Sequence, residues 1–158
     1  MNIVQANYDN QKHRQIICDL MNHYAQDPMG GGEALTKEVL DNLVAGLKAF
    51  GKATTFLVYD NDKAIGLINC ILGFSTFKAK PLMNIHDVIV KDGYRGKGVT
   101  QLMLKAVEEL AVELGCCKLT LEVLEGNKPA IRAYKKYGFD GYELDPNMGK
   151  AMFWEKKL

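Results

Sequence analysis

No apolar run in this chain approaches the roughly 20 residues that cross a bilayer. The opening stretch, MNIVQANYDNQKHR, lacks the charged-then-apolar pattern of a signal peptide, so a cytoplasmic location without membrane partners is expected. Neither sign of charge is in excess. Twenty Lys and Arg face 19 Asp and Glu, for a net charge of +1, so no global basic field argues for nucleic acid. The four cysteines show no CxxC spacing, and adjacent Cys116 and Cys117 make a poor metal clamp. They read as reduced, mostly buried small hydrophobes, and no metal is expected. The two commonest phosphate loops are missing too. No glycine is followed by Lys-Ser or Lys-Thr, and Gly96-Lys97-Gly98 runs on into Val99, Thr100 and Gln101 rather than completing GxGxxG. Internal repeats and low-complexity tracts are absent.

What is present is an ordinary globular composition, 47% hydrophobic and 25% charged over 158 residues. That length predicts one domain, residues 1–158, with one sizeable core. The stretch Asn84–Leu104, NIHDVIVKDGYRGKGVTQLML, organises the rest. Val88-Ile89-Val90 reads as a strand. Arg95-Gly96-Lys97-Gly98 is a basic glycine loop. Val99, Leu102, Met103, Ala106, Val107 and Leu110 then recur at helical spacing. Strand, glycine loop and helix in that order aim free N–H groups and a positive dipole end into the loop, a recipe for holding a pyrophosphate. A tight turn with two solvated cations would show the same pattern.

The remaining elements follow from periodicity and punctuation. Ile3–Ala6 is a short strand candidate and residues 11–25 an amphipathic helix. Asp27-Pro28-Met29-Gly30-Gly31-Gly32 breaks that helix, and its three glycines read as a floppy connector. Thr36 caps a second helix over 37–49, ended by Gly51. Thr54–Tyr59 and Ala64–Phe74 form a hairpin, residues 82–90 the central strand, and 98–114 a helix. Lys118–Val123 alternates as a half-buried strand should, and Ala130–Lys136 is a short helix closed by Gly138. Asp140–Leu144 and Ala151–Lys156 are the last strand candidates, joined by a turn at Asp145–Gly149. The order predicts an α+β fold, a mixed sheet with helices on its faces.

Two motifs carry a family resemblance. Arg95-Gly96-Lys97-Gly98-Val99-Thr100, directly after a Val-Ile-Val strand, resembles the R-x-x-G-x-G/A acyl-CoA signature of the GNAT N-acetyltransferase superfamily. Further on, Asn127, Ala130, Tyr134, Gly138 and Phe139 match that family's N-x-x-A-x-x-x-Y-x-x-x-G-F signature. Thr100 departs from the usual Gly or Ala. The resemblance covers nearly the whole chain. It implies a mostly antiparallel twisted sheet of about six or seven strands with about four helices, acetyl-CoA as co-substrate, and a homodimer, which is common among relatives. Main chain of Val88, Ile89 and Val90 would pair with the pantetheine arm. Arg95 would open the loop, and backbone N–H groups of Gly96, Lys97, Gly98, Val99, Thr100 and Gln101 would wrap the pyrophosphate. Asn127, Lys128 and Ala130 would line the other side of the arm, and Tyr134 would protonate the departing thiolate.

Acetyl transfer to an amine needs a neutral nucleophile, donors for the oxyanion and a proton for the thiolate. The base has two candidates. His86 stands where diamine-acetylating relatives carry the corresponding group, and Glu122 lies on the KLTLEV strand. A backbone-bonded histidine and an ordinary solvent-facing glutamate are the structural alternatives. His86 and Asp87 point to opposite faces of a regular strand, and a bulge would change this. Asp87, with His86, is a candidate for attracting a cationic amine. The activity expected is N-acetyl transfer to a primary amine, most simply of a small molecule such as a polyamine, amino-acid derivative or aminoglycoside, or else of a protein. The alternative is a non-catalytic acyl-CoA-binding sensor on the same fold.

Overall fold

The computed structural model describes residues 1–143, 145–149 and 151–158. Five strands form one sheet in chain order: β1 (Asn2–Gln5), β2 (Ala53–Asp60), β3 (Lys63–Ser75), β4 (Lys80–Val90) and β5 (Leu119–Leu121). β1 to β4 pair antiparallel, and β5 adds parallel to β4. The helices are α1 (Gln11–Ala25), α2 (Lys37–Phe50), α3 (Val99–Glu113) and α4 (Lys128–Tyr137). The fold is therefore α+β with a mostly antiparallel sheet, as expected.

Local chemistry sets the helix ends. Asn10 caps α1 by accepting from the His13 N–H, and Thr36 caps α2 by accepting from the Val39 N–H. Gly51 and Gly138 end α2 and α4 at φ 71° and 109°, where a Cβ would be strained.

Alternation along the strands divides the core between the two sheet faces. Phe56, Val58, Ile65, Ile68 and Cys70 pack with Val99, Met103, Leu104 and Val107 of α3 and with Tyr134 of α4. Leu57, Leu67 and Ile89 pack with Ile17 and Leu20 of α1 and Val44 of α2. Burying each of these large aliphatic side chains contributes about 1.5–3 kcal/mol. Helices thus cover both faces of the sheet.

Two expectations are corrected. The strands expected over Asp140–Leu144 and Ala151–Lys156 do not form among the described residues, and Leu144 lies outside them. Among the described residues the sheet has five strands rather than six or seven. The edge a sixth strand would join, β5, offers only three residues, too short a template for a long ladder. The Asp27–Gly32 segment is not a floppy connector. The Gly30 and Gly32 N–H groups both donate to the Asp27 carbonyl, at 2.7 and 3.1 Å, and Glu33 N–H returns to the Ala25 carbonyl at 3.1 Å. A Cβ on Gly30 would stand 2.0 Å from the Tyr24 carbonyl oxygen, so only glycine lets the loop fold back onto α1.

Candidate active site

The site begins where two strands part. β5 pairs with β4 from Met83–Leu119 to Ile85–Leu121 and then stops, while β4 continues to Val90. At the same level β4 bulges. Asn69 pairs with Asp87 and Cys70 with Ile85, which leaves His86 as the extra residue. Beyond this point the outer edge of β4 has no strand beside it among the described residues. The Lys91 N–H donates to the Ile65 carbonyl of β3 at 2.9 Å. By alternation the N–H and C=O of Val90 and Val88 face the opposite way, into the opening. A ligand with amide groups can add there as a strand would.

The opening is part of a cleft of about 970 Å³ whose walls include His86, Val88, Ile89, Val90, Glu122, Asn127, Ala130 and Tyr134. The glycine loop forms its far end. Gly93, Gly96 and Gly98 all take positive φ, at 80°, 76° and 83°. Gly98 is the N-cap of α3 and supplies no side-chain cap, so the first N–H groups of α3 have no intrahelical partner. Together with the helix dipole these groups form an anion site. Arg95, Gly96, Gly98, Val99, Thr100 and Gln101 line the cleft.

Arg95 does more than open the loop. Its guanidinium pairs with Asp27 at 2.8 Å and its Nε donates to the Val90 carbonyl at 3.3 Å. The link ties the turn after α1 to the loop before α3. The Met29 N–H and then Arg95 hold the Asp27 carboxyl below the usual carboxylate range. Gln101 donates its side-chain amide to the Ala133 carbonyl at 3.0 Å, which fixes α4 against α3. Asn127 uses its side chain to cap α4, accepting from the Ala130 N–H at 3.2 Å.

Tyr134 and His86, expected from sequence to act together, share this cleft with Glu122. His86 is exposed there because the bulge pushes it out of the ladder. Asn84 donates to both Glu122 carboxylate oxygens, at 3.4 and 3.3 Å, and so holds that side chain on the cleft rim. Tyr134 is only 8% exposed and packs edge-on against Phe139. Burial, with Tyr24 adding to it, pushes its phenol up to about 12. Three residues expected at the site are not on the cleft wall. Lys97 turns over the Tyr94 ring, 5.3 Å from its centroid. Lys128 begins α4 with its side chain exposed. Asp87 points into the sheet row described below. Sequence reasoning missed Tyr24, a half-buried wall residue whose phenol is raised first by burial and then by Asp87 and Asp27. Its place at helical spacing among Ile17, Leu20 and Met21 made it look like core.

The raised Tyr134 phenol has a consequence for folding. The unfolded chain ionises near pH 10 while the folded group stays protonated to about pH 12, so stability is full below pH 10 and falls as pH rises through that window. The expected loss is about 2–3 kcal/mol by pH 12. Thermal melts between pH 9 and 12 should show Tyr134→Phe declining less steeply than wild type. Parallel declines would place Tyr134 in water.

Comparison with known proteins follows the same outline. The sequence model of the acetyltransferase (GNAT) family matches residues 18–139. Thialysine N-epsilon-acetyltransferase of Bos taurus is 37% identical over 76 residues, covering 44% of this chain and 44% of that protein. Spermine/spermidine N(1)-acetyltransferase of Bacillus subtilis is 41% identical over 68 residues, covering 42% of this chain and 45% of that one. The matched stretch thus spans less than half the length of these relatives. In fold, a probable acetyltransferase superposes with a TM-score of 0.83 over 99% of both chains at 18% identity. An aminoglycoside N-acetyltransferase, AAC(6')-Iy, in complex with CoA superposes with a TM-score of 0.75 over 99% of this chain and 95% of that one, at 15% identity.

Proposed function

Since the chain belongs to the GNAT family of acetyltransferases, we propose that it is an N-acetyltransferase, moving an acetyl group from acetyl-CoA to a primary amine within a ternary complex. The observation that carries this reading is the opening between β4 and β5, which leads from an unpaired strand edge to the bare N-terminus of α3. A pantetheine arm fits the first and a pyrophosphate the second.

The steps follow from what lines the opening. The amine nitrogen attacks the thioester carbonyl carbon, and a C–N bond forms. The Val90 N–H faces the place where the carbonyl oxygen gains charge. The C–S bond then breaks, and the departing thiolate takes the Tyr134 proton. The amine surrenders its own proton to His86 or Glu122, directly or through water. Asp87, with His86 beside it, draws the positively charged acceptor toward the bulge. Relatives named for thialysine and for spermine and spermidine support a small amine that carries further positive charge. In this reading residues 1–158 act as one domain in the cytoplasm.

The test is acetyl-CoA-dependent CoA release against polyamines, amino acids, aminoglycosides and lysine peptides. Turnover with one class is expected. Tight acetyl-CoA binding with silence across the whole panel would point to a sensor instead.

A further inference from the structure

On the α1 face of the sheet, one row of residues breaks the apolar pattern. Leu57, Leu67 and Ile89 are register partners across β2, β3 and β4 and form the apolar floor beneath α1. Two residues along each of these strands, in register, lie Thr55, Asn69 and Asp87. Thr55 and Asn69 are 1% and 3% exposed. Buried polar groups of this kind are costly unless every hydrogen bond is made.

Here each one is made, and the direction is determined by its end. A carboxylate only accepts, so Asn69 must present its Nδ2 to Asp87 Oδ2, at 2.9 Å. That turns the Asn69 Oδ1 toward Thr55, whose hydroxyl donates to it at 2.5 Å. The single Thr55 proton is then spent, so Tyr8 donates its hydroxyl to Thr55 Oγ1, at 2.9 Å. The other Nδ2 hydrogen of Asn69 meets Met21 Sδ of α1 at 3.4 Å. The relay from Tyr8 through Thr55 and Asn69 runs toward Asp87. Its other oxygen has no hydrogen-bond partner among the described residues. Asp87 adjoins the bulged His86, and it lies close enough to Tyr24 on the cleft wall to raise that phenol.

We infer that Asn69 is a positioning residue, oriented by Thr55 and Tyr8, that fixes the Asp87 carboxylate just behind the cleft wall, near Tyr24, where its negative charge attracts the ammonium group of a cationic acceptor. This rests on the acetyltransferase reading above. A pre-set anion costs no reordering when the acceptor arrives, whereas a freely turning carboxylate would. The row spans the whole width of β2 to β4, so the acceptor site depends on a hydroxyl two strands from the cofactor edge.

Thr55→Val keeps the shape of the side chain and removes the donor, while Thr55→Ser keeps the donor. With spermidine as probe, Thr55→Val should raise the acceptor KM about five-fold, leaving kcat and the acetyl-CoA KM unchanged, because a hydrogen bond to a charged group is weakened. Thr55→Ser should restore the wild-type value. In an Asp87→Asn background, Thr55→Val should add no further change. An equal KM in Thr55→Val and wild type would overturn the inference, as would a rise that persists in the Asp87→Asn background. A readout independent of turnover is the Asn69 side-chain amide pair in ¹H–¹⁵N spectra. Slow exchange and a wide proton splitting are expected in wild type and loss of both in Thr55→Val; identical signals would overturn the row. Should no amine turn over at all, the acetyltransferase reading fails, while the amide signal still decides whether the row holds Asn69.

Discussion

Tyr134→Phe is expected to lower kcat about a hundred-fold while leaving acetyl-CoA binding unchanged, as general acids contribute roughly 10²–10⁴. The ring is not what the substitution removes. Tyr134 is 8% exposed, with its edge against Phe139, and phenylalanine keeps that contact. Only the hydroxyl on the cleft wall goes. Its raised value, about 12, means the phenol is protonated at every working pH, as a proton donor must be. The same value makes full transfer to a thiolate of ordinary pKa, near 8.5, uphill by about 5 kcal/mol. Burial raises a thiol in the same direction, so a dry cleft narrows that gap. The proton therefore moves as negative charge builds on sulfur, not before. Steady-state kinetics together with calorimetric titration of CoA separate the two effects. Unchanged kcat would remove Tyr134 from the chemistry, and weaker CoA binding would make it a structural residue.

Gly66→Val carries the second large effect, on stability and site together. Gly66 is buried in β3 opposite Val90. A Cβ there would lie 3.0 Å from the Ile89 carbonyl oxygen, 3.1 Å from Val99 Cγ1 and 3.5 Å from Met103 Sδ. The first is backbone of β4 and cannot swing aside. The second is the first residue of α3, whose free N–H groups form the proposed pyrophosphate site. Relief of the clash thus lifts α3 from the sheet and tilts the glycine loop. The expected cost is about 3 kcal/mol, from overpacking in a close-packed interior. For a chain of this size that lowers the melting temperature by roughly 10 °C. Acetyl-CoA affinity should fall with it, and Gly66→Ala should show a smaller version of both effects. A melting temperature within about 2 °C of wild type would mean that α3 does not rest on Gly66, since 1 kcal/mol already moves it by about 2–4 °C.

Much of this architecture was legible in the chain itself. The bounds of α1 agree with the periodicity at both ends, and the Thr36 cap and Gly51 stop of α2 are where the sequence places them. The glycine loop and the start of α3 also follow from residues next to one another. These features are held by bonds spanning three or four residues, so the residues that dictate them lie within the same short stretch. The signature around Asn127 and Tyr134 is legible for the same reason, since one helix carries all of it.

The rest was decided between segments far apart in the chain. Whether His86 and Asp87 face the same way depended on a bulge, and a bulge is a mismatch of count between two strands. The length of the cleft depended on where β5 leaves β4, after Leu121, although Lys118–Val123 alternates throughout. Asp140–Glu143 and the Ala151–Lys156 stretch read as strands but pair with no strand among the described residues. A strand's hydrogen bonds all go to a neighbour, so its own sequence states only a preference. Asn69 shows the same division most plainly. A lone asparagine in the apolar run AIGLINCILGF is visible in the sequence, but its partners Thr55 and Asp87 lie 14 and 18 residues away on other strands. Only the sheet, by bringing three strands into register, turns it from an isolated polar residue into one that holds Asp87 beside the cleft.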